Sequence, residues 1–217
     1  MAEDIGDGSK AEEFAQPAFF AFDDASEAEI AGVLAKYPTG RQASAVIPLL
    51  YIVQNQMRRT AGSAWVPRAA MDAVAQRLGM PPIRVYEAAT FYMMFNTRPI
   101  GKFHLQVCTT TPCWLRGSDD VVAACRKATR IQAWGETSAD GMFTMTEVEC
   151  LGACVNAPIL QVDDDYYEDM DAERTVALIE ALRRGERPTA GSMAGRQCSA
   201  PEGGPITLTS LDAEAKA

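Results

Sequence analysis

Lys102-Phe-His-Leu-Gln-Val-Cys-Thr-Thr-Thr-Pro-Cys113 is the stretch on which the reading of this chain turns. Its first residues alternate, with Phe103, Leu105 and Val107 on one side, as a half-buried strand does. The strand runs straight into two cysteines, Cys108 and Cys113, with four residues between them. A second pair, Cys150-Leu-Gly-Ala-Cys154, has three residues between its cysteines and follows another strand-like segment, Met142–Val148. The two pairs are separated by 36 residues. Each pair sits where a strand becomes a loop. Two loops at the same edge of one sheet can offer four thiols to one centre.

Outward from the cysteines the pattern is that of a compact α/β domain over residues 98–187. Ser118 is expected to cap a helix whose apolar side is Val121, Val122, Cys125 and Ala128. Ile159–Asp163 reads as a further strand. Asp171 caps a last helix bearing Val176, Ile179, Ala181 and Leu182, closed by Gly185. Residues 26–97 read instead as a helical bundle. Ser26 is the expected cap for Glu27–Tyr37. Ser44 or Ala45 opens a second helix in which Val46, Ile47, Leu50, Val53 and Met57 recur at helical spacing, with Pro48 tolerable only in the first turn. A third helix runs from Pro67 to Gly79, and a fourth starts at Pro81 and Pro82 and continues through Phe91. The expected class is therefore α plus α/β, helices first.

Both ends have a different composition. Residues 1–25 hold seven acids against one base, Lys10, and so carry six of the nine net negative charges of the 217-residue chain. They are expected to form an acidic, partly disordered leader. Residues 188–217, rich in Gly, Ser and Pro, read as an extended tail without packed elements. The acidic balance disfavours nucleic acid as a partner, because affinity for phosphate backbone rests on clustered Lys and Arg. The longest apolar run, Ala45 to Val53, is nine residues and contains Pro48. That is far short of the roughly 20 needed to cross hydrocarbon, so no membrane insertion is expected. The first residues lack the basic start and apolar stretch of a secretion signal, and the Arg-rich composition of a mitochondrial transit peptide. In a reducing compartment, patterned cysteines more often bind metal or carry redox chemistry than form disulfides.

Four thiolates in two pairs suit a 2Fe–2S cluster, in which each iron takes two protein thiolates beside two bridging sulfides. Loop amides at Thr109, Thr110, Thr111, Leu151, Gly152 and Ala153 are available to point at the sulfurs and stabilise negative charge there. An acidic chain resists the further negative charge of reduction, which places the expected potential near roughly −400 mV. A structural zinc site with four cysteine ligands uses the same parts, although such sites usually space each pair by about two residues. Disulfides or unligated thiols also remain open. Cys125 reads as a buried small residue on a helix face, and the role of Cys198 in the tail is open. The single histidine, His104, excludes a two-histidine Rieske centre and leaves most histidine-based catalysis without parts. There is no C-x-x-C, no G-x-G-x-x-G and no P-loop, so any nicotinamide chemistry belongs to another chain.

At these residues the chain resembles the thioredoxin-like 2Fe–2S subunits of respiratory complex I, NADH:quinone oxidoreductase. The likeness runs through Tyr37-Pro-Thr-Gly-Arg-Gln-Ala-Ser-Ala-Val-Ile-Pro-Leu-Leu50, Glu87-Ala-Ala-Thr-Phe-Tyr92, Val107–Cys113, Glu147-Val-Glu-Cys-Leu-Gly-Ala-Cys-Val-Asn-Ala-Pro158, Tyr166-Tyr-Glu-Asp169 and Ser199-Ala-Pro-Glu-Gly-Gly-Pro205. Trp114 after Cys113 and the extra Cys198 are the departures. The resemblance implies a helical domain followed by a thioredoxin-like domain, with cluster ligands falling on Cys108, Cys113, Cys150 and Cys154. It implies a partner flavoprotein that binds FMN and NADH, further iron–sulfur subunits of the peripheral arm, and a quinone such as ubiquinone as the eventual acceptor. It also implies a place on the cytoplasmic face of a bacterial inner membrane, or on the matrix side if organellar. No complete active site is expected in this chain alone. The related diaphorase subunits of NAD-linked hydrogenases and formate dehydrogenases carry the same motif and form the alternative, with a zinc-stapled, non-redox scaffold more remote.

Overall fold

The computed structural model describes residues 14–196. The acidic residues before Phe14, Cys198 and the Ser199–Pro205 motif lie outside the described residues. The chain divides into two compact units, Met1–Pro99 and Ile100–Ala217.

The first unit is built on four helices: α1 (Asp24–Leu34), α2 (Val46–Ala61), α3 (Arg68–Leu78) and α4 (Pro82–Phe91). A 3-10 turn, Gln42–Ala45, leads into α2, so Pro48 falls in the first turn, where its missing N–H has no helical acceptor to lose. α3 ends at Gly79 in the left-handed conformation at φ 62°, which spares a side chain the steric cost of that turn. The core joins Ile30 from α1, Leu49, Leu50, Ile52 and Val53 from α2, Met71 and Val74 from α3, and Val85 and Ala89 from α4.

Two expectations shift in this unit. α1 starts three residues earlier than Ser26 would have it, because the Asp23 carboxylate accepts the Ser26 N–H at 2.8 Å and takes the cap. Ser26 lies buried inside the first turn. The leader expected to reach residue 25 is also shorter. Phe14 packs edge-on against Trp65, Gln16 accepts the Arg68 N–H at 3.0 Å, and Phe20 and Phe22 pack against the bundle core. The acids set the charge of this segment, and its phenylalanines decide its packing.

The second unit is a five-stranded mixed sheet in the order β2-β1-β3-β4-β5. The strands are β1 (Phe103–Cys108), β2 (Phe143–Val148), β3 (Leu160–Val162), β4 (Asp165–Glu168) and β5 (Gly191–Ser192). β1 runs parallel to β2 and antiparallel to β3, so it delivers Cys108 between these two neighbours. Between β1 and β2 lie α5 (Thr111–Leu115) and α6 (Ser118–Thr129), and α7 (Ala172–Arg183) follows β4. Phe103, Leu105 and Val107 form one core with Val121 and Cys125 of α6 and Leu178, Ile179 and Leu182 of α7. Gly101 allows the chain to enter β1 beside β2, since a Cβ there would come within 2.7 Å of the Phe143 backbone.

Three features depart from the sequence reading. α5 forms around Cys113, with Pro112 in its first turn where proline is favoured. Asp163-Asp164 makes a tight connection from β3 into β4, a strand absent from the expected order. The stretch after Pro188 contributes β5, whose Gly191 and Ser192 pair with Tyr167 and Glu168.

Candidate metal centre

Cys108 ends β1 and Cys113 sits in α5, and both are buried. Cys150 follows β2 in an exposed loop, and Cys154 opens a 3-10 turn, Cys154–Asn156, half-buried. Within the second loop the two sulfurs are 3.4 Å apart, and the Gly152 N–H points at the Cys150 sulfur at 3.4 Å. Gly152 takes φ 81°, the left-handed turn that aims its amide inward. In the first loop, the Thr110 hydroxyl lies 3.2 Å from the Cys108 sulfur.

The two loops meet. The Cys108 N–H donates to the Ile159 carbonyl at 3.3 Å, which brings the segment after the second loop against the first. Cys108 and Cys113 pack with Ala157 and Ile159, and Leu151, Ala153 and Tyr166 close over them.

Acidities follow this geometry. Burial pushes the Cys113 thiol up to about 12, helped by its hydrogen bond to Cys108 and by negative charge on Cys108 and Cys154. Burial also works to raise Cys108, but the Thr110 hydroxyl and amide, the Leu151 amide and the Cys113 thiol together hold it below its ordinary value. Cys154 is raised by its hydrogen bond with Cys150, then by desolvation and by charge on Cys150 and Cys108. Charge on Cys154, in the second loop, thus works on Cys113 in the first.

Among the described residues, no three His, Cys, Asp or Glu side chains gather so as to hold a single metal ion. The sulfurs stand as two pairs. Four cysteine thiols in two pairs are the donor set of a binuclear cluster, with two thiolates to each iron. Amides aimed at sulfur add the hydrogen bonds that such clusters use. The donor set fits.

A family model described as thioredoxin-like [2Fe-2S] ferredoxin matches residues 30–183. The chain belongs to this family. Among its relatives, the E subunit of the NADH-quinone oxidoreductase of Rickettsia bellii is 48% identical over 164 residues, covering 76% of this chain and 95% of that protein. Its namesake from Rickettsia conorii is 49% identical over 151 residues, covering 70% of this chain and 87% of its own. Among solved structures, an NAD+-reducing [NiFe]-hydrogenase in the air-oxidised state superposes with a TM-score of 0.52 at 22% identity. That match covers 63% of this chain and 23% of the hydrogenase chain, and it speaks for the fold alone. Family membership brings one 2Fe–2S cluster as the resident cofactor and the thioredoxin-like fold.

The remaining residues singled out in the sequence stand apart from this centre. Cys125 is buried in α6 against the sheet, where burial alone pushes its thiol up to about 12. His104 is nearly buried in β1, its Nε2 2.8 Å from the Thr146 hydroxyl and its backbone N–H donating to Asp163. Of the loop amides expected to reach sulfur, that of Gly152 does so, 3.4 Å from the Cys150 sulfur. Thr109 instead donates its hydroxyl to Glu147 at 2.6 Å.

Proposed function

We propose that this chain is the electron-carrying E subunit of an NADH:quinone oxidoreductase, with its cluster held by Cys108, Cys113, Cys150 and Cys154. The observation that carries the ligand assignment is the packing of Leu151 and Ala153, from between Cys150 and Cys154, against the buried Cys108 and Cys113, which brings the two cysteine loops to one site. Relatives bearing that subunit name are about half identical over most of their own length, which favours this complex over a hydrogenase diaphorase.

The bound cluster supplies one chemistry, the uptake and release of a single electron. The chain's residues supply its setting. The Gly152 amide and the Thr110 hydroxyl, each within reach of a sulfur, stabilise negative charge there. Burial of Cys108 and Cys113 keeps water from one pair, while the exposure of Cys150 brings the other to the surface. Exposed apolar residues follow both pairs: Trp114 and Leu115 after Cys113, and Val155 after Cys154. Large exposed apolar side chains beside a redox site suit a protein partner. That partner is the FMN- and NADH-binding flavoprotein, since this chain lacks a dinucleotide motif, and other peripheral-arm iron–sulfur subunits complete the assembly. Among the described residues no helix is long and apolar enough to cross a membrane. The subunit assignment makes the chain peripheral, and our reading puts it on the cytoplasmic face of a bacterial membrane, or on the matrix side in an organelle.

The test is iron and sulfide analysis with EPR of the dithionite-reduced chain. The expected result is two irons and two sulfides per chain, with a reduced 2Fe–2S signal that is lost or altered in each serine variant of Cys108, Cys113, Cys150 and Cys154. An unchanged signal in any one of them overturns the ligand assignment. Purification of the native assembly with hydrogenase subunits overturns the complex I reading and leaves the ligands standing.

A further inference from the structure

The Cys150–Cys154 loop supplies few bonds of its own. Between β2 and β3 its regular structure is a single 3-10 turn, Cys154–Asn156, closed by Asn156 N–H to Ala153 at 3.1 Å and Ala157 N–H to Cys154 at 3.3 Å. Next to the turn lies a polar cavity of about 340 Å³, lined by Arg116, Pro158, Asp169, Arg174 and Arg196 among others. With space on that side, the turn needs an external hold.

Arg196 provides one. Its Nη2 donates to the Val155 carbonyl at 2.9 Å and to the Asn156 side-chain oxygen, the two residues that follow Cys154. The same guanidinium grips the Asp169 carboxylate, with Nη2 at 2.9 Å and Nε at 3.2 Å. Asp169 is 9% exposed and also accepts the Ser192 hydroxyl at 2.5 Å, while its own N–H donates to the Asn156 carbonyl at 2.6 Å. The Asn156 amide in turn donates to buried Glu168 at 2.8 Å. One planar fork thus joins the end of β4, the strap following β5, and the turn that carries Cys154.

We infer that Arg196 is a positioning residue for Cys154, and that the strap over residues 191–196 belongs to the cluster site; the inference rests on the cluster reading above. The guanidinium suits the task because its donors lie in one plane and reach several acceptors at once. A lysine places a point charge on Asp169 without that spread. Arg196 touches no sulfur. It acts through the peptide bonds after Cys154, holding that thiolate at a fixed angle to its partner Cys150.

The experiment uses the full chain with R196L and R196K. Hydrogen exchange is followed first in the metal-free protein. R196L is expected to speed exchange across Cys154–Ala157 about tenfold, the scale of losing a charge-assisted hydrogen bond, while β1 and α6 keep wild-type rates. After reconstitution with iron and sulfide, the reduced EPR g values of R196L shift. R196K restores thermal stability through Asp169 and leaves both loop exchange and g values altered, which separates positioning from a plain ion pair. Wild-type exchange and wild-type g values in R196L overturn the inference. A wild-type chain that takes up no iron and sulfide overturns the cluster reading instead. The exchange data then decide the clamp alone: faster exchange in R196L supports it, and unchanged exchange sinks it.

Discussion

The Tyr166 hydroxyl donates to the Leu151 carbonyl at 3.1 Å, joining β4 to the middle of the second cysteine loop. Leu151 itself packs against the buried Cys108 and Cys113. A strand residue outside both cysteine motifs therefore holds a residue of the second loop against the first pair. Tyr166→Phe removes only the hydroxyl of a half-buried ring. It is expected to destabilise the chain by about 1 kcal/mol in urea unfolding, with faster exchange of the Leu151 N–H. Equal stability and an unchanged Leu151 rate would show that the loop holds its shape without the phenol.

How much of this site is legible in the sequence depends on whether the signal is local. Cys108, Cys113, Cys150 and Cys154 stand out by spacing and by following alternating stretches, so the donor set and the sheet edge can be read directly. α5 escapes that reading because five residues around Pro112 are too short for helical periodicity, although a threonine before a first-turn proline is a helix-start signal. β4 escapes it because Asp163, read as the end of the preceding strand, is where the chain turns. Asp163 takes the left-handed conformation at φ 56°, and aspartate in that role marks a tight hairpin. Arg196 carries no sequence signal at all. It meets Asn156 only because β5 adds to the sheet edge beside β4, a relationship set by tertiary structure.

Ser118 offers a prediction of unusual sign. Expected to cap α6, it is instead the first residue of the helix, preceded by Gly117, and its hydroxyl is buried with no hydrogen-bond partner among the described residues. A buried hydroxyl that has left water without compensation is a net cost. Ser118→Ala should therefore stabilise the chain, by about 1 kcal/mol, as a rise in the urea midpoint at constant slope. A loss of stability would mean that the hydroxyl has a partner in solution.

Asp23 gives the helical unit a defined response to acid. Its carboxyl is held below the ordinary 3.8, first by the Ser26 N–H, then by the Ser26 hydroxyl and by Arg59, whose guanidinium lies 3.0 Å away. A carboxyl with a depressed folded-state pKa contributes stability above its unfolded value and loses it as pH falls through the folded value. The contribution is thus intact near neutrality and disappears below about pH 4. Asp23→Asn keeps a capping oxygen but gives up the charge. Exchange of the α1 amides should be slower in the wild type than in the variant at pH 6, and the gap should close on acidification. A gap independent of pH would assign the effect to cap geometry alone.

Truncation separates the strap from the rest of the C-terminal segment. Read from sequence as a single tail, residues 188–217 should on removal weaken assembly with the flavoprotein and leave the cluster spectrum intact. The structure divides that segment. Residues 191–196 pair with β4 and bring Arg196 onto the Cys154 turn, so a chain ending at residue 190 loses both β5 and the guanidinium hold. A chain ending at residue 196 keeps them. The shorter chain should therefore show altered reduced g values and a less stable cluster, whereas the chain ending at 196 should match the full-length spectrum and co-purify less flavoprotein. Spectra and co-purification are measured on the same preparations, so the two effects can be scored independently. If the chain ending at 190 keeps the full-length spectrum, the strap has no part in shaping the site. If the chain ending at 196 retains all its flavoprotein, the residues beyond Arg196 take no part in the interface.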